Sequence, residues 1–238
     1  MTPCALVLLH SPLTSAAVWG GLGQRLTASD LATVVVDVTA DTAAPYAGRY
    51  VAQAAAQVAS SGLAGSAPVL LVAHSGAGPL VGQIGFALRA AHRPVAGYLF
   101  VDAGLPRPGG GASRLDLMHA ESADLAADLR RRLQAGGRFP TWTDADLAEE
   151  VPHPGDRALL VASLRPRGLD FFDEPLPAPL DWPDAPAGVL QTSDGYELSA
   201  RLARGRGWPV VAHPGGHFAA LTDPAGTAEA LMELVHRL

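Results

Sequence analysis

The sequence predicts an α/β fold: a doubly wound, mostly parallel sheet of about six strands, with helices on both faces and an inserted helical cap. Three observations lead to this fold class. Apolar runs recur along the chain, and several are almost continuously apolar, as in strands buried on both faces. Helix-like patterns separate the early runs, an alternation that is typical of parallel sheets. Between residues 105 and 185 the alternation stops and the pattern is largely helical.

Six apolar runs mark the predicted strands. They span residues 4–10, 32–38, 68–74, 95–103, 187–193 and 208–214. The intervening segments 15–28, 47–61 and 77–92 are predicted to be helices, and the chain ends in an amphipathic helix that Pro224 opens. In a sheet of this kind, ligand chemistry is expected at the carboxyl ends of the strands.

The predicted domain organisation is one core with one insertion. Residues 1–104 and 186–238 carry the alternating pattern and are expected to form the core. Residues 105–185 are expected to form the cap. Within the cap, helical patterns cover 112–136, 143–151 and 155–164, and a proline-rich stretch then returns the chain to the sheet.

Composition excludes several classes of function. Hydrophobic residues make up 48% of the 238 residues and charged residues 17%, which suits a globular protein with a sizeable core. The formal net charge is -6 and no basic block stands out, so nucleic-acid binding is not expected. We find neither a secretory signal nor a membrane-spanning run. We therefore expect a cytoplasmic protein that acts on a small molecule, without a membrane partner; the oligomeric state is undetermined.

The stretch VLLVAHSGAGPL, residues 69–80, delivers Ser75 from a buried strand into a cluster of small residues. A strand-to-helix turn that projects a serine is a nucleophile elbow, and its strained backbone requires small neighbours. Ala73 and Ala77 stand two positions to either side, and Gly76 is adjacent. The competing interpretation is a serine that caps the following helix.

A nucleophilic serine needs a base and an acid. The hydroxyl is weak until a base takes its proton, and base and acid are expected later in the chain, the acid first. His217 lies on a glycine-rich loop just beyond the last predicted strand and is the candidate base. Asp194, after strand 187–193, is favoured as the acid over Asp102, at the end of strand 95–103.

These residues make the chain resemble the α/β-hydrolase superfamily over nearly its whole length. The resemblance rests on LLHSPLTSAAVW, VAHSGAG, QTSDGYE and PGGHFAALTDP, and the layout is similar to that of small plant-type esterases and hydroxynitrile lyases. It implies a catalytic triad of Ser75, Asp194 and His217. It also implies that the backbone N–H of Gly76 is one donor of the oxyanion hole.

One loop departs from the pattern of the family. Members usually carry His-Gly-X after the first strand, and X donates a backbone N–H to the oxyanion. This chain has His10-Ser11-Pro12, and proline has no N–H. We expect either the Leu13 N–H or the Ser11 hydroxyl to replace it. Hydroxynitrile lyases have a substrate-contacting hydroxyl at the position that corresponds to Ser11, so the resemblance also permits a non-hydrolytic reaction.

The favoured function is a serine hydrolase that cleaves a small carboxylic ester, thioester or lactone through an acyl-enzyme. The alternative is a lyase or cyclase that uses Ser75 and His217 as a general base, and a non-catalytic ligand-binding protein is the least favoured. The candidate pocket residues are Trp19, His74 and Phe218. No cofactor is expected, because no motif for one is present. No metal is expected either, because the His213/His217 pair has no accompanying carboxylate motif.

Overall fold

A computed structural model describes residues 4–29, 31–39, 42–64 and 67–238; the first three residues of the predicted core lie outside the described residues. Within these ranges the strands form one six-stranded sheet in the order β2-β1-β3-β4-β5-β6, and all five pairings are parallel. The strands are β1 (Ala5–Leu9), β2 (Thr33–Val36), β3 (Val69–Ser75), β4 (Val95–Ala103), β5 (Ala187–Gln191) and β6 (Val210–Ala212). The predicted fold class is confirmed.

Helices cover both faces of the sheet, which explains why the strands are almost continuously apolar. Alternate side chains of a strand point to opposite faces. In β1, Val7 and Leu9 belong to an apolar cluster with helices α2, α3 and α8, whereas Leu6 and Leu8 pack with α1 and α10. The helices are α1 (Leu22–Ala28), α2 (Tyr46–Ala59), α3 (Val81–Ala90), α4 (Arg114–Glu121), α5 (Ala123–Gln134), α6 (Pro154–Ser163), α7 (Leu169–Asp173), α8 (Glu197–Gly205), α9 (Ala219–Thr222) and α10 (Pro224–His236).

The single helix predicted over residues 15–28 is wrong. The chain forms a short 3-10 helix at Ala16–Trp19, and α1 begins only at Leu22. Gly20 separates the two with a φ of 46°, a conformation that a right-handed helix cannot include. A Cβ at this glycine would stand 3.1 Å from Leu221 Cδ1, so the close approach of α9 also favours glycine here.

The inserted segment, residues 105–185, contains α4 to α7 and leaves the sheet between β4 and β5. Helices α4, α5 and α7 form an apolar cluster, to which Phe171 and Phe172 contribute and which Tyr46 of α2 joins. The helix predicted over 143–151 is wrong, because residues 144–150 form successive turns. Thr143 and Asp146 hold the first turn by reciprocal hydrogen bonds. The boundaries of the cap stay a prediction.

Among the described residues, no helix combines the length and the apolar character that crossing a bilayer requires.

Candidate active site

Ser75 is the last residue of β3, and its φ of 55° is unusual for a residue other than glycine. The chain turns directly into a 3-10 helix at Gly78–Leu80 and then into α3. Small neighbours allow this turn: a Cβ at Gly78 would stand 2.1 Å from the carbonyl oxygen of Gly104. The local geometry is that of the strained strand-to-helix turn predicted from the sequence.

A second strained residue lies one position before the end of the neighbouring strand. Asp102, in β4, has a φ of 44°, and its side chain is completely buried. Its Oδ2 lies 2.8 Å from Nδ1 of His217. The backbone N–H groups of Thr192 and Ser193 donate to Oδ1 over 3.0 and 2.9 Å, and the Ser193 hydroxyl donates to Oδ2. The loop after β5 therefore fixes the carboxylate that faces the imidazole.

These partners decide the charge of Asp102. Burial alone would raise the pKa of this carboxyl, because it disfavours the ionised form. The hydrogen bond from His217 and the electrostatic attraction of its protonated form, with the donors of Ser193 and Thr192, outweigh burial and hold the pKa of Asp102 below its usual value. The group is thus a carboxylate at neutral pH.

The sequence-based preference for Asp194 over Asp102 is wrong in this structure. Asp194 is exposed and begins a 3-10 turn that runs to Tyr196. No hydrogen bond or ion pair joins it to His217 in the described part of the chain. The reason is local: Ser193 caps this turn and directs its own N–H to Asp102, so the chain turns outward at the next residue.

His217 is held at further points. Its backbone N–H donates to Oε1 of Glu150 over 2.7 Å, and its carbonyl oxygen lies 2.9 Å from Nε2 of His74. Burial lowers the pKa of His74 to about 3, so this second imidazole is neutral and its Nε2–H donates to the carbonyl. The imidazole of His217 is therefore fixed through its side chain by Asp102 and through its backbone by two other residues.

A tyrosine that sequence reasoning missed completes the surroundings of Ser75. The hydroxyl of Tyr196 lies 3.1 Å from Ser75 Oγ. The tyrosine ring stacks on the His217 ring, with 5.3 Å between centroids and 13° between planes. Tyr196 lies within the stretch QTSDGYE, two residues after Asp194, but nothing in that stretch marks the tyrosine itself as a site residue.

The loop after β1 approaches Ser75 from the other side. The Leu13 N–H donates to Ser11 Oγ over 3.3 Å, and Thr14 N–H closes the turn onto the Ser11 carbonyl over 3.0 Å. A Cβ at Gly76 would stand only 2.9 Å from Ser11 Oγ, so this hydroxyl lies directly beside the residue that follows the nucleophile. Ser11, Leu13 and Gly76 all line the same cavity as Ser75.

That cavity has a volume of about 410 Å³ and is lined mainly by apolar side chains of the core and the inserted segment. His74 and Phe218 line it, as the sequence predicts. Trp19 does not: it is 1% exposed and packs in the core, edge-on to His74, because the 3-10 helix that carries it lies against α6 and α9. Among the described lining residues, Glu121 alone has a carboxylate, and burial raises its pKa.

No group of three or more His, Cys, Asp or Glu side chains in the described ranges is placed to bind a metal ion. His213, the other member of the histidine pair at the end of the sheet, lies 3.2 Å from Oδ2 of Asp223 instead.

Comparison with known proteins identifies the family of the chain. The sequence model of the Alpha/beta hydrolase family matches residues 6–230. The chain belongs to this family. No curated protein matches it by sequence.

Solved structures similar to this alpha/beta hydrolase share its fold at low sequence identity. An extracellular alpha/beta-hydrolase from a Paenibacillus species, described as sharing structural and functional homology with tobacco salicylic acid binding protein 2, has 14% identity and a TM-score of 0.76, and the match covers 98% of this chain and 99% of that one. Polyneuridine aldehyde esterase has 16% identity and a TM-score of 0.71, with 98% and 99% covered. Tomato methylketone synthase I, complexed with 2-tridecanone, has 16% identity and a TM-score of 0.71, with 99% of each chain covered.

In this alpha/beta hydrolase, the carboxylate of Asp102 receives the Nδ1–H of His217, and that tautomer leaves Nε2 as a proton acceptor. The arrangement can remove a proton from a hydroxyl in the cavity and stabilise the imidazolium that forms.

Proposed function

We propose that this protein is a serine hydrolase that cleaves a small-molecule carboxylic ester, thioester or lactone through an acyl-enzyme on Ser75. The observation that carries the proposal is the 2.8 Å contact of the buried Asp102 with His217, which lines an apolar cavity that Ser75 also lines from a strained elbow. Family membership and the esterases among its structural relatives support an enzyme of this general type.

The reaction begins at Ser75. Its Oγ forms a bond with the carbonyl carbon of the substrate, while its proton passes to Nε2 of His217, and Asp102 stabilises the resulting imidazolium. When the bond from that carbon to the leaving oxygen or sulfur breaks, the proton on Nε2 moves to the leaving group. Water then attacks the acyl carbon while Nε2 of His217 takes its proton. The bond from that carbon to Ser75 Oγ breaks, Oγ takes the proton back from Nε2, and the acid is released.

The tetrahedral intermediate carries an oxyanion that needs donors. The Gly76 N–H is one, and we assign the second to the Ser11 hydroxyl. Pro12 has no N–H, and the Leu13 N–H is directed to Ser11 Oγ, an acceptor contact that leaves the proton of the hydroxyl available to donate. One such donor contributes about 10²- to 10³-fold to the rate.

Stopped-flow hydrolysis of p-nitrophenyl acetate by the wild type and Ser75→Ala tests this proposal. We expect a burst of p-nitrophenol followed by steady turnover in the wild type, and neither in the variant. Intact-mass measurement of the wild type during turnover should show an acetyl adduct on Ser75. A burst of equal size in the variant contradicts the assignment of the nucleophile.

A lyase or cyclase reaction is the second candidate, and two observations favour it. The oxyanion loop lacks the Pro12 N–H, and the Ser75 hydroxyl is paired with Tyr196. In such a reaction Ser75 and His217 act as a general base and no acyl-enzyme forms. Turnover that depends on Ser75 without any covalent adduct would select this candidate.

A protein that only binds a ligand would turn over no substrate, and its affinity would survive both Ser75→Ala and His217→Ala. The small-molecule substrate and a cytoplasmic location stay predictions.

A further inference from the structure

Tyr196 contacts the nucleophile and the base of the proposed reaction at the same time. Its hydroxyl lies 3.1 Å from Ser75 Oγ, and its ring stacks on His217 with 13° between the planes. The side chain also lines the cavity. A substrate whose carbonyl carbon is bonded to Ser75 Oγ must therefore have one of its substituents next to this phenol.

The phenol is a hydrogen-bond donor at every pH at which a histidine base operates. Burial raises the pKa of Tyr196 to about 12, although the hydrogen bond with Ser75 opposes that shift. The hydroxyl keeps its proton and can present it to a developing negative charge.

The topology of the sheet places Tyr196 on the side of Ser75 where negative charge develops on the leaving group. Ser75 ends β3, the Ser11 loop follows β1 on one side of it, and Tyr196 follows β5 on the other side. Ser11 lies against Gly76, so the carbonyl oxygen of the substrate occupies the β1 side. His217 follows β6, beyond β5, and the leaving group must face it to receive its proton. Tyr196 stands on that same side.

We propose that Tyr196 is a further catalytic residue, whose hydroxyl donates a hydrogen bond to the leaving-group oxygen as the ester bond breaks. This inference rests on the proposed hydrolase function. The His217 imidazolium supplies the proton that the leaving oxygen acquires, and Tyr196 keeps its own proton throughout. Before the attack the same hydroxyl is hydrogen-bonded to Ser75 Oγ. Its hydrogen-bond acceptor therefore changes during the reaction, from Ser75 Oγ to the leaving-group oxygen.

The role has a consequence that depends on the leaving group. An alkoxide departs with far more charge to stabilise than a nitrophenolate does. A donor to that oxygen therefore accelerates the cleavage of alkyl esters much more than that of activated esters. A residue that merely shapes the cavity or supports His217 would affect both kinds of ester alike.

The test is Tyr196→Phe, which removes the hydroxyl and keeps the ring that stacks on His217. We would measure kcat/KM for p-nitrophenyl, phenyl and ethyl acetate. The three share one acetyl-enzyme, so kcat/KM reports only the acylation step in which the leaving group departs. We expect a loss of about 10²-fold for ethyl acetate and of less than about threefold for p-nitrophenyl acetate.

The matched control is Tyr46→Phe. The Tyr46 hydroxyl donates to Asp170, and neither side chain lines the cavity. We expect no change along the ester series in this variant. Equal losses for all three esters in Tyr196→Phe, or no loss for ethyl acetate, would overturn the assignment of Tyr196 while leaving Ser75 as the nucleophile. Turnover that survives Ser75→Ala would instead refute the hydrolase function itself.

A second variant guards against misfolding of Tyr196→Phe. Difluorotyrosine introduced at position 196 keeps the ring and the hydroxyl but makes the phenol a stronger donor. We expect the dependence of kcat/KM on leaving-group basicity to become shallower than in the wild type. An unchanged slope would contradict the proposal.

Discussion

Replacing Asp102 with asparagine distinguishes the two acids that the sequence offers. The amide oxygen can take the place of Oδ1 and accept from the N–H groups of Thr192 and Ser193, as the carboxylate does. The amide nitrogen then occupies the place of Oδ2, 2.8 Å from Nδ1 of His217. An amide nitrogen only donates, so Nδ1 must become the acceptor and the imidazole proton moves to Nε2. An Nε2 that already carries a proton cannot take the one from Ser75.

The magnitude follows from the loss of the correct tautomer and of the charge that stabilises the imidazolium. For a triad of this geometry we expect kcat/KM to fall on the order of 10³- to 10⁴-fold. At about 1.4 kcal/mol for each factor of ten, this is a loss of about 4 to 5.5 kcal/mol of transition-state stabilisation. Asp194→Asn is the matched control. Its side chain is exposed and does not contact His217, so we expect less than about a twofold change.

The assay is the steady-state hydrolysis of p-nitrophenyl acetate by wild type, Asp102→Asn and Asp194→Asn. Thermal unfolding of each variant shows that any loss of rate is not a loss of fold. A hundredfold loss in Asp194→Asn, with Asp102→Asn within tenfold of the wild type, would refute the assignment of the acid and restore the preference drawn from the sequence.

Three further perturbations probe the oxyanion loop, the elbow and the buried acid. Ser11→Ala should lower kcat for p-nitrophenyl acetate about 10²- to 10³-fold, and an unchanged kcat would leave the Gly76 N–H as the working donor. Gly78→Ala should destabilise the protein by about 1–3 kcal/mol in urea unfolding, since the added Cβ would stand 2.1 Å from the carbonyl oxygen of Gly104; equal stability would show that the elbow can shift. The lowered pKa of Asp102 adds stability that is present above the unfolded-state pKa, near 4, and is lost as pH falls through the folded value. The free energy of unfolding should therefore fall more steeply below pH 5 in the wild type than in Asp102→Asn, and parallel curves would contradict this.

The sheet could be predicted from the sequence because burial on both faces leaves a signal that few other structures produce. The apolar run at 95–103 coincides with β4, and the other five runs differ from their strands by no more than a few residues. The sequence predicts one helix over 15–28 because the apolar spacing continues through Gly20. Only the packing of that glycine against Leu221 requires its left-handed backbone.

The candidate nucleophile and base could be found because each lies beside local features. Ser75 has small neighbours after a buried strand, and His217 has glycines after the last one. The acid could not be chosen correctly, since Asp102 and Asp194 lie at or just after the carboxyl ends of two neighbouring strands of the sheet. What separates them is the conformation of residues 192–194, where two N–H groups and a hydroxyl converge on Asp102. No spacing in the sequence encodes that convergence, and the same is true of the contact between Tyr196 and Ser75.

The hydroxyls of Ser11 and Tyr196 flank Ser75, and both must be held in place to act as hydrogen-bond donors. A backbone N–H is fixed by the fold, whereas a hydroxyl can rotate and must be held in place to act as a preorganised donor. Ser11 is held by the Leu13 N–H, and Tyr196 by its stacking on His217. Both hydroxyls can also bind a substrate that is never acylated, as the lyase reaction requires. In the proposed acyl-enzyme reaction, the leaving oxygen of the ester lies on the side of Ser75 that Tyr196 and His217 occupy. If the loss of kcat/KM in Tyr196→Phe rises steeply with the basicity of the leaving group, that result would argue for hydrolysis independently of any covalent adduct on Ser75.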